Sequence, residues 1–199
     1  MLARLTIGQY LNAIAKETAR MSYPSRMGGV VKKGTKKKVE AFFETRFPIE
    51  SLWKRTASVA REYEAWHGDR VFEIAQCLRG QTKRSSDNPR AVAAKFLNTY
   101  MHQLMKYGAF RSLFPHLHLP LDRVVLGRLW KLAKVRPALK PIRKTLRKYK
   151  DAPYAIRYPA YIRIQKALLN LLQEINRASK LPRNLRLTSR LHLNILWSE

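Results

Sequence analysis

Between Asn88 and Lys150 the chain carries fifteen lysines and arginines and one carboxylate, Asp122. That acid lies in the run Phe114-Pro-His-Leu-His-Leu-Pro-Leu-Asp-Arg-Val-Val-Leu126. A carboxylate among so many cations either secures local structure or does chemistry. The structural account is an N-cap, because Asp after Pro-Leu and before Arg-Val-Val-Leu satisfies an orphan helix amide and is worth about 1 kcal/mol. The chemical account is electrostatic stabilisation of positive charge that develops in a transition state, with water oriented by the same oxygens.

Other chemistries lack their residues. Phosphate-binding loops, zinc-spaced cysteines, Gly-x-Ser-x-Gly elbows and paired carboxylate metal sites are missing. His116 and His118 form the one close histidine pair, which without a third ligand reads as packing or a DNA contact rather than a metal site. A two-metal nuclease needs several converging carboxylates, and the basic centre of the chain offers one. No metal and no cofactor are expected.

The elements that would position Asp122 read as helices. Thr6 precedes an apolar pattern at helical spacing that ends before Tyr23-Pro24. The stretch from 27 to 43 places five lysines between two β-prone pairs, so a short β hairpin or an exposed basic loop is expected near 28–43. Ile49, Leu52, Trp53, Ala57, Ala60, Tyr63 and Trp66 predict one helix over about 50–67, and Asp69 would cap a second that Gly80 ends. Residues 81–88 form a polar turn. Asp87 or Asn88 followed by Pro89 is a cap and first position for a helix to about Tyr107. Asp122 would start a helix through Lys134, and further helices are expected over about 159–178 and 188–197. The expected fold class is all-α, as one domain or as two small lobes around a shared cleft.

Composition names the partner. Forty basic against thirteen acidic residues give a net charge of +27 on 199 residues, which repels itself unless a polyanion supplies counter-charge. Nucleic acid is the default. A hydrophobic content of 46% and 10% aromatics separate the chain from disordered basic tails. Cys77 alone permits no internal disulfide, and no apolar run approaches the roughly 18 residues needed to span a bilayer. The chain reads as a cytoplasmic monomer acting on DNA, with no membrane partner.

The order turn, helix, apolar connection, Pro-x-Asp, helix resembles the helix-hairpin-helix superfamily of DNA base-excision glycosylases. The matching pieces are Asn88-Pro-Arg-Ala-Val-Ala-Ala-Lys-Phe-Leu97 and Leu119-Pro-Leu-Asp-Arg-Val-Val125, with Tyr161-Ile-Arg-Ile-Gln-Lys-Ala-Leu168 and Leu196-Trp197 similar to the closing helices of small members. The likeness covers roughly 48–199 in arrangement, and Pro120-Leu-Asp-Arg123 is its most specific segment. It implies that Asp122 is catalytic in hydrolysing the N-glycosidic bond of a damaged or modified base, leaving an abasic site. The family's range extends the expectation to hypermodified phage bases and antiviral defence. The target base would be flipped into a pocket, for which Trp53, Tyr63, Trp66 and Gln9 are candidates, although such spacings also serve a core.

The chain departs from this family at two places. The Gly-x-Gly hairpin would fall in 80–88, where Lys83, Arg84, Ser85 and Ser86 would have to contact phosphate instead. The archaeal 8-oxoguanine glycosylases, nearest in arrangement, carry a nucleophilic lysine where this chain aligns Arg90. A guanidinium cannot form a Schiff base, so Arg90 implies a monofunctional enzyme that uses water. Lys95 is offset from Arg90 by about 140° on a helical wheel and is expected to face elsewhere. Arg90, Lys95, Arg123 and Arg128 complete the expected DNA-binding set. The competing class is a non-enzymatic basic nucleic-acid-binding protein in which Asp122 is only a cap.

Overall fold

Thr6 closes a capping box with Gln9, each side chain bonding the other's backbone, and so starts α1 (Ile7–Met21). The computed structural model describes residues 6–179, 182 and 186–197, with the side chains of 25, 26 and 194–197 excepted. α1 buries Leu11, Ile14, Ala15, Thr18 and Ala19 on one stripe.

The segment expected as a hairpin is instead a 3-10 turn, Ser25–Gly29, followed by α2 (Thr35–Thr45). Gly34 precedes α2 at φ +88°, a left-handed conformation that costs glycine nothing. Thr35, Val39, Phe42 and Phe43 then recur on the buried face, while Lys36, Lys37 and Lys38 are exposed on the other. The ring of Phe43 stacks on Tyr100 at 4.1 Å, a contact 57 residues away in sequence that outweighs the weak helix signal of a lysine run. The β character survives at one antiparallel bridge, Val31 to Thr82.

The long helix expected over 50–67 is broken into α3 (Ile49–Lys54), α4 (Thr56–Arg61) and α5 (Tyr63–Cys77). Arg55 and Glu62 leave helical geometry at the junctions, each turning the next segment's apolar side chains, Val59 and then Tyr63, toward the core. His67-Gly68 does not break α5. The hydroxyl of Tyr158 would lie 3.4 Å from a Cβ at Gly68, so a tyrosine from the last long helix packs against that helix face. Asp69 is consequently inside α5 rather than its cap.

Gly80, at φ +67°, turns the chain after α5, and Asn88 caps α6 (Pro89–Leu104) with Pro89 at its first turn, as the sequence predicts. A 3-10 segment, Gly108–His116, and an extended stretch lead to Asp122 and α7 (Arg123–Leu132). Pro137–Ile142 is 3-10, α8 spans Arg143–Tyr149, and α9 spans Tyr158–Ala178. The final Arg190–Trp197 segment is 3-10 rather than α. The side chains of Leu196 and Trp197, quoted for the family resemblance, lie outside the described residues.

The described residues are predominantly helical and contain no strand beyond that one bridge. Buried apolar side chains from Leu11 to Leu193 form a single cluster, in which α6 is central: Val92, Phe96, Leu97, Tyr100, Met101 and Leu104 have no exposure. Cys77 is half-buried at the edge of this core. Among the described residues no helix is long and apolar enough to cross a membrane.

Candidate functional site

The stretch before Asp122 has no ladder to hold it, and two side chains substitute for one. Gln165 of α9 accepts from the Leu119 amide at 3.0 Å and donates to the Leu119 carbonyl at 2.8 Å, as a neighbouring strand would. Arg190 donates through Nε to the Leu117 carbonyl at 2.9 Å and through Nη2 to the His116 carbonyl. With Leu117, Leu119 and Leu121 buried, the backbone is fixed from both sides and delivers Asp122 to the start of α7.

At that position Asp122 is extended and its Oδ1 accepts from the Val125 amide at 2.9 Å, so the capping role is real. The second oxygen, Oδ2, faces the Lys95 ammonium at 3.2 Å. The Lys95 side chain is 12% exposed and that of Asp122 36%, so the lysine approaches from inside while the carboxylate keeps an outer face open to a ligand. Tyr154, on a 3-10 turn at Pro153–Ala155, lies close enough to feel the charge. Burial, with Asp122 and then Asp87, pushes its phenol up to about 12. Its carbonyl accepts from the Asn88 amide at 2.6 Å, and its hydroxyl touches Met27 Sδ at 3.4 Å. The turn at 153–155 thus bonds the cap of α6 and feels the charge at the cap of α7.

This arrangement corrects the expectation that Lys95 faces away from the site. Arg90 and Lys95 do diverge around α6, but Asp122 arrives on the side of Lys95. Arg90 is exposed and its guanidinium carbon lies 5.2 Å from the Phe72 ring centroid.

The turn 81–88 is held by the loop before α2. Lys32 donates its amide to Gln81 at 2.8 Å, and the Lys83 amide donates to Val30 at 2.8 Å. The Lys83 ammonium donates to the Gly28 carbonyl at 2.6 Å, which ties it to the loop. Arg84, Ser85 and Ser86 are exposed at the tip. Arg123 is exposed and paired with Asp151 at 3.7 Å, and Arg128 is half-buried further along α7.

Of the candidate base-pocket residues, Tyr63 and Trp66 are brought together, their ring centroids 5.7 Å apart. Gln9 is exposed and occupied as the α1 cap. Tyr63 is 3% exposed and belongs to the core, where its ring meets those of Trp66, His67 and His118. Trp53 and Trp66 are half-buried against the same core. The cavity that Trp66 lines with Leu52 and Val59 holds about 60 Å³, small beside the roughly 300–1,000 Å³ of ordinary ligand pockets.

A buried polar chain lies behind the site, and neither periodicity nor charge in the sequence points to it. Burial lowers His67 to about 3 and leaves it neutral. Its Nδ1 accepts from the Tyr158 hydroxyl at 2.9 Å and its Nε2 proton goes to Asn98 Oδ1 at 3.0 Å. Asn98 Nδ2 donates to the Tyr161 hydroxyl at 2.8 Å, which donates in turn to His118 Nδ1 at 3.0 Å. Burial likewise holds His118 well below the ordinary histidine range. The chain has one direction, from Tyr158 to His118. His118 Nε2, Tyr63 Oη and Arg190 Nη1 have no partner among the described residues. His118 is therefore a packed, hydrogen-bonded core residue. Among the described residues no three histidine, cysteine or carboxylate side chains are grouped to hold a metal ion.

Comparison with protein-family models, with curated proteins and with solved structures finds no match.

Proposed function

We propose that this chain is a DNA N-glycosylase whose Asp122 stabilises the positive charge that develops on a sugar as a modified base departs. The observation that carries the reading is the Asp122 carboxylate, fixed through Oδ1 at the helix start, 3.2 Å from the Lys95 ammonium through Oδ2, and 36% exposed. Preorganised charge of this kind acts on a transition state without reorganising, which is where electrostatic catalysis gains most. A net charge of +27 supports DNA as the polyanion to be gripped. Extruding the base costs a few kcal/mol, least for one already mispaired or damaged, so a modified base is the substrate class. Hypermodified phage cytosine, and with it antiviral defence, falls within that class.

Two nucleophiles fit this reading. Water follows from the alignment of Arg90 and gives a monofunctional enzyme. The contact between Lys95 and Asp122 favours an amine instead. Lys95 Nζ, once deprotonated, would attack C1′ as the base leaves with the bonding pair and takes up a proton; the sugar ring would then open, the C1′–O4′ pair going to O4′ with a proton from Nζ, to leave a Schiff base. Product that breaks only on alkali treatment points to water; breaks without alkali point to an amine, Lys95 or Lys83.

A non-enzymatic nucleic-acid binder is the second reading, and the 60 Å³ size of the cavity at Trp66 favours it. Mass spectrometry of bases freed from damaged, deaminated and phage-modified DNA separates the two. Free base from any of them supports the enzyme, and none from all of them removes it.

A further inference from the structure

A concavity lies at the other end of α7 from Asp122. A groove of about 750 Å³ is lined by Trp130, Lys140, Arg143, Lys144, Arg147 and Lys150. The sequence builds it simply. Leu139, Ile142, Leu146 and Tyr149 are buried, which turns Arg143, Lys144 and Arg147 outward on one face of α8, with Lys140 exposed on the turn before it. Trp130 is half-buried against the core, and the ammonium groups of Lys134 and Lys150 lie 4.7 and 5.4 Å from its ring centroid. None of the six lining residues is acidic. The nearby carboxylate, Asp151, is already engaged by Lys150 and Arg123.

Five cations around one indole have a specific fit. We propose that this groove binds an unpaired stretch of nucleic acid, with phosphates on Lys140, Arg143, Lys144 and Arg147 and one base stacked on Trp130 in place of the lysines. A cationic groove with an aromatic platform is what sequence-tolerant single-strand binding requires. Paired bases are already stacked on one another, so a duplex would use the cations and leave the indole idle. Trp130 follows Asp122 by eight positions on α7, about 12 Å at 1.5 Å per residue. At about 3.4 Å per nucleotide that is three to four steps from the sugar at Asp122. The groove would hold a strand opened beside the target nucleotide. The inference shares the nucleic-acid partner of the proposed function but does not depend on its chemistry.

Anisotropy of a labelled oligothymidine, titrated over a salt series and set against a duplex of equal length, tests it. Trp130→Leu should weaken single-strand binding about tenfold, the loss of one base stack, and leave duplex binding within about twofold. The double variant Lys144→Gln, Arg147→Gln should lower the slope of log K against log salt by about 1.4, from about 0.7 per phosphate on a single strand. Trp130→Phe keeps a ring should Trp130→Leu fail to fold. It should bind near wild type while losing most of the tryptophan quenching that oligothymidine causes. Wild-type protein that binds oligothymidine through Trp130 but releases no base from any modified DNA would count against the glycosylase chemistry and not the groove. Equal quenching in wild type and Trp130→Phe would overturn the proposal, as would equal weakening of single strand and duplex by Trp130→Leu. Trp130-dependent binding to anionic vesicles with none to oligothymidine would overturn it in favour of a lipid surface.

Discussion

Lys95 Nζ, from the second turn of α6, and Asp122 Oδ2, at the start of α7, meet at 3.2 Å, 27 residues apart in sequence. The carboxylate's other oxygen is spent on the Val125 amide. Capping occupies one oxygen of the side chain, so the catalytic role proposed for Asp122 becomes a question about Oδ2.

If Lys95 is the nucleophile, sodium borohydride should trap a covalent protein–DNA adduct with wild type and none with Lys95→Gln. Under the water reading neither traps, and Lys95→Gln alters base release through the position of Oδ2 alone. Denaturing electrophoresis reads the adduct. An adduct formed by Lys95→Gln but lost in Lys83→Gln would move the nucleophile to the turn.

Asn98 joins His67 to Tyr161, and both partners are buried. Asn98→Ala leaves the His67 Nε2 proton without its acceptor and the Tyr161 oxygen without a donor. A buried group deprived of its partner costs about 1–3 kcal/mol, so a loss of roughly 3 kcal/mol is expected. Calorimetry should show a fall in Tm of roughly 6–12 °C for a chain of this size. Unchanged Tm would mean the chain of hydrogen bonds contributes nothing to stability.

Acid should unfold the protein through its histidines. His67 sits at about 3 in the folded state against about 6.5 unfolded, so below pH 6.5 the unfolded chain takes up a proton that the folded one refuses. Its contribution is complete above about pH 6.5 and declines as pH falls toward about 3. His118, lowered by burial and by His67 and Arg190, acts in the same direction. Urea midpoints measured between pH 7 and 4 should fall steadily, and His67→Gln should flatten the slope even if it lowers the midpoint at pH 7.

Gly80 turns the chain at φ +67° with open space where a Cβ would stand. Gly80→Ala should therefore cost only the left-handed backbone penalty, about 1–2 kcal/mol, with no clash. A larger loss would show that the turn at 81–88 and its bridge to Val31 depend on that residue for more than its conformation.

What the sequence made legible was local. The caps Thr6, Asn88 and Asp122 need only a side chain and the amide two or three residues on; Asp122 was readable as a cap, Asn88 as one of two candidates, and Thr6 as the residue before the helical pattern. α2 was not, because its lysines obscure a buried face whose Phe43 is held by Tyr100. The breaks at Arg55 and Glu62 follow from packing against the core, which a continuous helical period does not register. The side of α6 from which Asp122 approaches was unreadable for the same reason. It is set by Gln165 and Arg190, which hold the preceding backbone across 46 and 73 residues. The buried pair His67 and Asn98 carried no periodic or charge signal at all.

Under the proposed function, the charge on Asp122 stabilises the transition state in which a glycosidic bond breaks. Asp122→Asn preserves an oxygen to accept from the Val125 amide and removes the charge, so a folded variant isolates the chemistry from the cap. Free base released per enzyme from one cleavable modified DNA should be followed by mass spectrometry for wild type and Asp122→Asn, with thermal melts confirming both are folded. The account predicts release by wild type and a fall of at least about a hundredfold in the variant, the loss expected when a preorganised electrostatic group is removed. Equal release from both, or none from wild type on any modified DNA, would contradict it.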